Sequence, residues 1–290
     1  MAKCLVTGHC GYIGSKLYKK LKDLGHEVIG IDLKQGNDLL KLLKEDNDGL
    51  FHPHYFNFKP EYVFHMACWP RIGLCLEKPV PTSENNILGG SIVLNFARKV
   101  GSVKRLVYSS SSSVVGNGYG PTNPYALQKY TTELETSIYS QVYGLETVSL
   151  RYFNVYSEDQ TTEGPYATAV ANWMESIRSN KKPFITGDGE QRRDMIHADD
   201  VVLANIFAME YDKKFNGKHF DIGTGTNISL NEVKNIIHKY HNIEFDYVKE
   251  RPGEVLKTKA NTLPLKKLGW SHSISIEDGI TNCFNFRRKK

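Results

Sequence analysis

The chain has 290 residues, of which 40% are apolar and 24% are charged, a composition typical of a soluble globular protein. It contains no run of about 18 apolar residues, which argues against a transmembrane helix, and its first residues lack the apolar stretch of a signal peptide. The net charge of +5 owes four positive charges to residues 287–290, and the rest shows no basic stripe. We therefore expect a cytoplasmic protein that binds neither nucleic acid nor a membrane.

The cysteines argue against a disulfide framework and against a zinc site. There are five of them, an odd number, and none forms a C-x-x-C pair, so we expect reduced, mostly buried thiols. His197 stands before two aspartates, but this ligand set is incomplete and Asp199-Asp200 is typical of a helix start. The sequence therefore predicts no metal.

In chain order, strands and helices alternate over the first half of the sequence. Apolar runs predict strands at 5–7, 28–31, 62–64, 105–108 and 147–152, and helical patterns lie at 13–24, 87–99 and 125–143. This alternation predicts an α/β fold, a Rossmann-like doubly wound parallel sheet, over residues 1–155. The stretch from Asp32 to Tyr62 is short for a full β-α-β unit, so we expect a strand or helix to be missing there.

After about Asn154 the pattern loosens and glycine and proline become frequent. Short strands at 220–222 and 245–248 alternate with helices at 167–178 and 230–238. We expect residues 156–290 to form mainly a smaller C-terminal α/β lobe, with some later segments returning to the first domain.

A glycine motif joins the first predicted strand to the first predicted helix. Gly8 permits a tight turn, Gly11 lets the backbone approach a pyrophosphate, and Gly14 lets the helix pack closely. Asp32 ends the second strand about 20 residues further on, where a carboxylate binds the ribose hydroxyls of NAD and repels the 2′-phosphate of NADP. The pattern predicts NAD binding; the alternative is a glycine-rich turn beside a solvated aspartate.

A serine-rich strand end precedes a helix that carries Tyr125 and Lys129. These two residues are four apart and share one helix face, and a lysine ammonium lowers the pKa of a nearby phenol. A phenolate could remove a proton from a sugar hydroxyl while nicotinamide accepts the hydride. A Tyr-x-x-x-Lys pair alone is common on protein surfaces, but its position after a Rossmann-like half favours catalysis.

Taken together, these motifs resemble the extended short-chain dehydrogenase/reductase family, specifically its NAD-dependent nucleotide-sugar epimerase/dehydratase branch. The resemblance runs from Val6 to about Gly279 and includes Phe64-His65-Met66-Ala67 and the segments 150–156, 187–194 and 251–254. It implies that Tyr125 is the acid/base, that Lys129 is its partner and a cofactor-ribose contact, and that Ser111 binds the reacting hydroxyl. It implies cofactor contacts from Gly8, Gly11, Tyr12, Ile13, Gly14, Asp32, Asp38, Leu39, Met66, Ala67, Asn86, Tyr125, Lys129 and Phe153.

The resemblance also implies a nucleotide-sugar substrate and a reaction. It places Asn154, Arg193 and Arg251 on the diphosphate, where arginines suit the charge, and assigns Glu254 and Thr258 to substrate binding. Residues 109–113 are all serine, without the carboxylate of the dehydratases, which favours 4-epimerisation through a transient 4-keto sugar. Alternatives are a dehydratase, a decarboxylase, a keto-sugar reductase or a non-catalytic NAD-binding protein.

Two finer expectations come from the resemblance. The small Thr258 and the segment 160–167 favour UDP-N-acetylhexosamines, or use of both these and UDP-glucose/galactose, because a small residue leaves room for an acetamido group. The helices near 87–99 and 125–143 are expected to form a homodimer contact.

Overall fold

The computed structural model describes residues 1–70, 72–116, 118–160, 168–250 and 256–285. The chain forms two compact units, one of Met1–Arg151 with Val202–Phe220 and the other of Tyr152–Val201 with Asp221–Lys290. The boundary expected between residues 155 and 156 lies near the observed change of unit after Arg151.

A six-stranded sheet is the centre of the first unit. Its strands are β1 (Lys3–Thr7), β2 (Glu27–Ile31), β3 (Tyr62–His65), β4 (Arg105–Ser111), β5 (Thr147–Tyr152) and β10 (His219–Ile222), in the order β10-β5-β4-β3-β1-β2. The pairs β1–β2, β1–β3 and β3–β4 are parallel, and their register aligns Thr7, Ile31, His65 and Tyr108. The carboxyl ends of four strands therefore share one edge, where α/β proteins bind ligands.

Helices flank this sheet, which confirms the predicted Rossmann-like class. They are α1 (Tyr12–Asp23), α2 (Leu39–Leu42), α3 (Pro53–Phe58), α4 (Ile72–Glu77), α5 (Pro79–Ser83), α6 (Gly89–Val100) and α7 (Pro124–Tyr143), with a π-helical turn at Glu84–Leu88 and 3-10 turns at Leu33–Gln35 and Ser112–Val115. Apolar faces of α6 and of the strands build the core, as in the packing of Phe96 with Leu106 and Val63. No helix of the described residues has the length and apolar character to span a bilayer.

The short stretch between β2 and β3 adds no strand to the sheet. Residues 33–61 are all described, and they form one 3-10 turn and the short helices α2 and α3 without contributing a strand. Strand β2 is therefore an edge strand of the sheet. The predicted loss of an element from this stretch stays a prediction, and the described residues 33–61 contain no strand.

The segment 202–220 belongs to the first unit through Arg105. The Arg105 guanidinium is buried and donates to the carbonyl oxygens of Ala208 (2.6 Å), Tyr211 (2.8 Å) and Lys213 (2.7 Å). This segment includes most of α9 (Ala198–Glu210), a helix of which the sequence indicated only the start.

The second unit combines short strand pairs with helices. Strand β6 (Val155–Tyr156) pairs with β9 (Ile196–His197), β7 (Phe184–Thr186) with β12 (Asp246–Val248), and β8 (Arg192–Arg193) with β11 (Ile228–Ser229). Helices α8 (Ala169–Arg178), α10 (Leu230–His238), α11 (Leu263–Lys266) and α12 (Ile276–Phe284) complete it. Its core packs Trp173 and Ile185 against Val233 and Phe284.

Candidate active site

The glycine turn after β1 requires glycine at two positions. Gly8 has φ +73°, and a Cβ there would lie 2.7 Å from the backbone nitrogen of Ala67. A Cβ at Gly14 would lie 2.1 Å from the carbonyl oxygen of Gly8. Gly11 is the N-cap of α1 and provides no side-chain cap, so no N-cap side chain accepts from the first amides of the helix. A helix N-terminus of this kind fits the pyrophosphate of NAD, and Tyr12 and Ile13 are its first two residues.

Asp32 follows β2 directly beside this turn. Its Oδ2 accepts a hydrogen bond from the Cys10 backbone (2.9 Å), and its Oδ1 accepts one from the Lys34 backbone (2.9 Å). The carboxylate is only partly buried, and each oxygen has a further lone pair for a ribose hydroxyl. Asp38 caps α2 by accepting from Leu40 N (3.0 Å), and Leu39 is buried, so their predicted adenine contacts remain predictions.

The loop after β3 lies against the same edge. The Met66 amide donates to the Thr7 carbonyl (3.2 Å), and the Ala67 amide donates to the Thr7 hydroxyl (3.2 Å). His65 Nδ1 also contacts that hydroxyl at 2.8 Å, and burial together with the charge of Lys129 lowers the pKa of His65 to about 3. A neutral His65 thus anchors the loop that carries Met66 and Ala67.

Asn86 connects this loop to helix α7 through hydrogen bonds. Its side chain is buried, its Oδ1 accepts from the Trp69 backbone (2.8 Å), and its Nδ2 donates to Gln128 Oε1 (2.7 Å). Gln128 lies on α7 between Tyr125 and Lys129 in the sequence. The contacts of Asn86 position the residues around a cofactor, and its predicted direct contact with NAD stays a prediction.

Ser111, Tyr125 and Lys129 converge within the first unit. Helix α7 begins at Pro124, and Asn123 caps it by accepting from Ala126 N (3.0 Å), which fixes Tyr125 in the first turn. Ser111 ends β4 and lies close enough to the Tyr125 hydroxyl to lower its pKa. Lys129 is buried, and its Nζ donates to the Ser109 carbonyl (2.6 Å). The three predicted catalytic residues therefore lie together at the carboxyl edge of the sheet.

The expected effect of Lys129 on Tyr125 is corrected by the structure. Burial is the largest influence and raises the pKa of Tyr125 above its ordinary value, with the nearby Cys68 adding to the rise and the Ser111 hydrogen bond opposing it. Lys129 directs its ammonium to Ser109 and Cys68. Burial therefore favours the protonated phenol, and Lys129 does not offset this effect.

A buried ion pair that sequence reasoning missed supports the serine strand. Arg151 Nε lies 3.1 and 3.0 Å from the two carboxylate oxygens of Glu133, and the Ser110 hydroxyl donates to Glu133 Oε2 at 2.6 Å. Glu133 lies on α7, one helical turn after Lys129. The Arg151–Glu133 pair therefore fixes the end of β4, next to Ser111, against this helix.

In the second unit, Asp194 organises the predicted substrate residues. It is fully buried and accepts from Thr224 N (2.8 Å), Thr224 Oγ1 (2.8 Å), Gly225 N (2.9 Å) and Ala260 N (2.9 Å). Asn154 Nδ2 donates to the Asp194 carbonyl (2.8 Å) and to Thr258 Oγ1 (3.1 Å). Asn154 and Thr258 are thus brought together, and both amide protons of Asn154 are used within this unit.

A cavity of about 200 Å³ opens in the second unit beside these residues. Arg193 and Asn154 line it with the polar Gln191 and Thr186 and the apolar Trp173. Phe153 is buried next to this wall, and its amide donates to the Ile222 carbonyl (3.0 Å). Arg251, Glu254 and residues 161–167 lie outside the described residues.

Comparison with known proteins identifies the family. Residues 4–223 match the model of the NAD dependent epimerase/dehydratase family. A UDP-glucose 4-epimerase of Mycolicibacterium smegmatis is 29% identical, with 99% of each chain covered. Two solved structures superpose with a TM-score of 0.85: the UDP-glucose 4-epimerase of Thermotoga maritima with UDP-glucose (31% identity, 97% of each chain) and the UDP-N-acetylglucosamine 4-epimerase of Methanobrevibacter ruminantium with UDP-N-acetylmuramic acid (27% identity, 98% and 97%).

The match covers most of the chain and includes the glycine turn, Asp32, Ser111, Tyr125 and Lys129. The predicted family and the predicted cofactor are thereby confirmed: this chain belongs to the NAD dependent epimerase/dehydratase family, and its cofactor is NAD.

Proposed function

We propose that the chain interconverts two UDP-sugars by inverting C4 through a transient 4-keto sugar. The observation that carries the proposal is the proximity of Ser111 and Tyr125 to the buried Lys129, at the sheet edge that also carries the glycine turn. UDP-sugar 4-epimerases are among the proteins most similar to this one over nearly the full chain.

Tyr125 and Ser111 provide the proton chemistry. Ser111 orients the C4 hydroxyl, and Tyr125 removes its proton as the C4 hydrogen leaves and returns that proton when C4 is reduced again. When bound, NAD supplies the hydride acceptor and donor, together with the positive charge that favours the phenolate. Lys129, fixed by Ser109, presents an ammonium beside the same edge for the cofactor ribose.

The surroundings of the serine strand support epimerisation over dehydration. A dehydratase needs a carboxylate that can move a second proton, and residues 109–113 are all serine. Glu133, the carboxylate bonded to Ser110, is committed to a buried ion pair with Arg151 and is therefore poorly suited to that role. A decarboxylase, a keto-sugar reductase or a non-catalytic NAD-binding protein remains the alternative.

The cavity of the second unit is suited to binding a nucleoside diphosphate. Arg193 lines a cavity of about 200 Å³ together with Asn154, and a guanidinium beside a concave, partly apolar wall suits a charged phosphate and a base. We propose that Arg251 and Glu254 complete this site.

A panel of UDP-, GDP- and dTDP-sugars followed by NMR tests the reaction. We expect UDP-sugars to be inverted at C4 without net consumption of NAD. Release of water or CO₂, or stoichiometric use of NADH, would reject epimerisation in favour of the alternatives.

Thr258 is proposed to set the preference between hexoses and N-acetylhexosamines. We expect Thr258→Tyr to lower kcat/KM for UDP-N-acetylglucosamine at least about tenfold more than for UDP-glucose. The tyrosine ring would occupy the space that the acetamido group of the substrate needs. Thr258→Val is the matched control: it removes the hydroxyl that binds Asn154 but keeps the size, so the substrate ratio should not change. An equal loss with both substrates in Thr258→Tyr would show a structural effect only.

We propose that the protein is a homodimer through α6 and α7. The exposed side of α7 has an apolar stripe of Leu127, Leu134, Ile138 and Val142, which are 55%, 47%, 51% and 66% exposed and recur at helical spacing. We expect Ile138→Glu to shift the molecular mass measured by light scattering from dimer to monomer, since burying a charge is costly. Leu24→Glu, at the end of α1, is the control, and a monomeric wild-type protein would contradict the proposal.

A cytoplasmic location remains a proposal, supported by the five unpaired cysteines.

A further inference from the structure

Three metal-binding side chains meet at the glycine turn, and the family function does not account for two of them. His9 and Cys10 lie between Gly8 and Gly11, and Asp32 ends the neighbouring strand. One ligand atom from each of the three lies within 4.8 Å of the others, and His9 Nε2 is 3.5 Å from Cys10 Sγ. We call His9, Cys10 and Asp32 the turn cluster.

The position of His9 is set largely by packing. A Cβ at Gly30 would lie 2.3 Å from the His9 ring, so glycine at this position makes room for the imidazole. The ring lies 5.0 Å from that of Tyr18, and the residue is 8% exposed. Its Nδ1 lies against Gly30 and has no hydrogen-bond partner among the described residues, whereas Nε2 faces Cys10 Sγ and is the ligand atom that His9 offers to the cluster.

The donor set suits zinc. Imidazole nitrogen, thiolate sulfur and carboxylate oxygen are all zinc ligands, and three protein ligands leave a fourth tetrahedral position for water. Softer sulfur and nitrogen donors argue against Mg²⁺ and Ca²⁺, which prefer oxygen. Cys10 is partly exposed, so an ion can reach the cluster. Lys34 is the nearby positive charge, with its Nζ 3.4 Å from the Cys10 carbonyl, and it moderates the attraction of the cluster for a cation.

We propose that the turn cluster binds Zn²⁺ and that the bound ion excludes NAD. Binding converts the Cys10 thiol to a thiolate, whose proton goes to solvent, and no redox step is involved. The exclusion rests on the proposed role of Asp32 in holding the cofactor ribose, because the ion takes a carboxylate oxygen that would otherwise accept from a ribose hydroxyl and occupies the turn assigned to the pyrophosphate. Zinc would then act as an inhibitor that competes with the cofactor rather than with the sugar.

Direct zinc binding is measured first, by calorimetry on the NAD-depleted protein and by the thiolate-to-metal absorption of Co²⁺. We expect one ion per chain, and we expect Cys10→Ser to remove the absorption and weaken affinity at least about 10- to 100-fold. The control is His52→Gln/His54→Gln, which removes two exposed imidazoles elsewhere and should change neither result. Unchanged zinc affinity in Cys10→Ser overturns the site.

Competition is measured next, from the apparent Kd for NAD at increasing free zinc. We expect it to rise linearly with zinc in the wild type and to stay constant in Cys10→Ser, whose Kd without zinc should be within about threefold of the wild type. A zinc-independent NAD Kd in a wild-type protein that binds zinc overturns the exclusion. A wild type that fails to bind NAD without zinc instead contradicts the proposed function, while the direct titration still decides the metal site.

Discussion

Tyr125→Phe should lower kcat for C4 inversion by about 10²- to 10⁴-fold, the usual contribution of a positioned acid/base. The substitution removes one hydroxyl near Ser111 and keeps the ring, so the affinities for NAD and UDP-sugar should change little. Because burial raises the pKa of Tyr125, activity of the wild type should increase as pH rises above neutrality and the phenolate becomes accessible. The variant should lose this dependence.

Tyr143→Phe provides the matched control for this experiment. It removes a hydroxyl from the other end of α7, where Tyr143 is exposed, and should leave kcat and its pH profile unchanged. Wild-type activity in Tyr125→Phe would revive the non-catalytic alternative.

Arg151→Met should reduce the free energy of unfolding by about 3–5 kcal/mol, since it leaves a buried carboxylate without its partner. The side chains of Arg151 and Glu133 are 13% and 5% exposed, so solvent cannot replace the guanidinium. Urea denaturation measures the effect. Loss of the pair should also lower kcat, because Glu133 holds Ser110 next to Ser111.

Two further variants show whether the loss of stability in Arg151→Met comes from the unpaired buried charge of Glu133. Lys19→Met breaks the exposed Lys19–Asp23 pair at 2.7 Å and should cost less than about 1 kcal/mol. Arg151→Met combined with Glu133→Leu should recover much of the lost stability, because it no longer buries an unpaired charge. An Arg151→Met protein as stable as Lys19→Met would contradict the role of the buried pair.

Local signals were sufficient for several elements of both units. Helix α10 and strand β5 have the predicted bounds, and the glycine turn lies where its spacing placed it, because each depends on neighbouring residues. The short helices α2 to α5 were not foreseen, since segments of four to six residues carry too little periodicity to be read. Helix α9 was missed beyond its start because it is apolar on most sides and lacks an amphipathic pattern.

Side-chain partners across the fold were harder to foresee than the residues themselves. Ser111, Tyr125 and Lys129 converge as expected, but the direction of the Lys129 ammonium depends on the Ser109 carbonyl and on Cys68. Asp194 was named only as part of a motif, although its four bonds hold together segments far apart in sequence. Such contacts are set by tertiary packing, and no single stretch of chain encodes them.

Transfer of the C4 hydrogen is the step on which the whole account depends. UDP-galactose carrying deuterium at C4, incubated with the enzyme in ordinary water, tests it by NMR and mass spectrometry of the product. We expect UDP-glucose that keeps the deuterium at C4, because the hydride leaves and returns within one turnover. Deuterium lost to solvent, or a product not inverted at C4, would contradict the account.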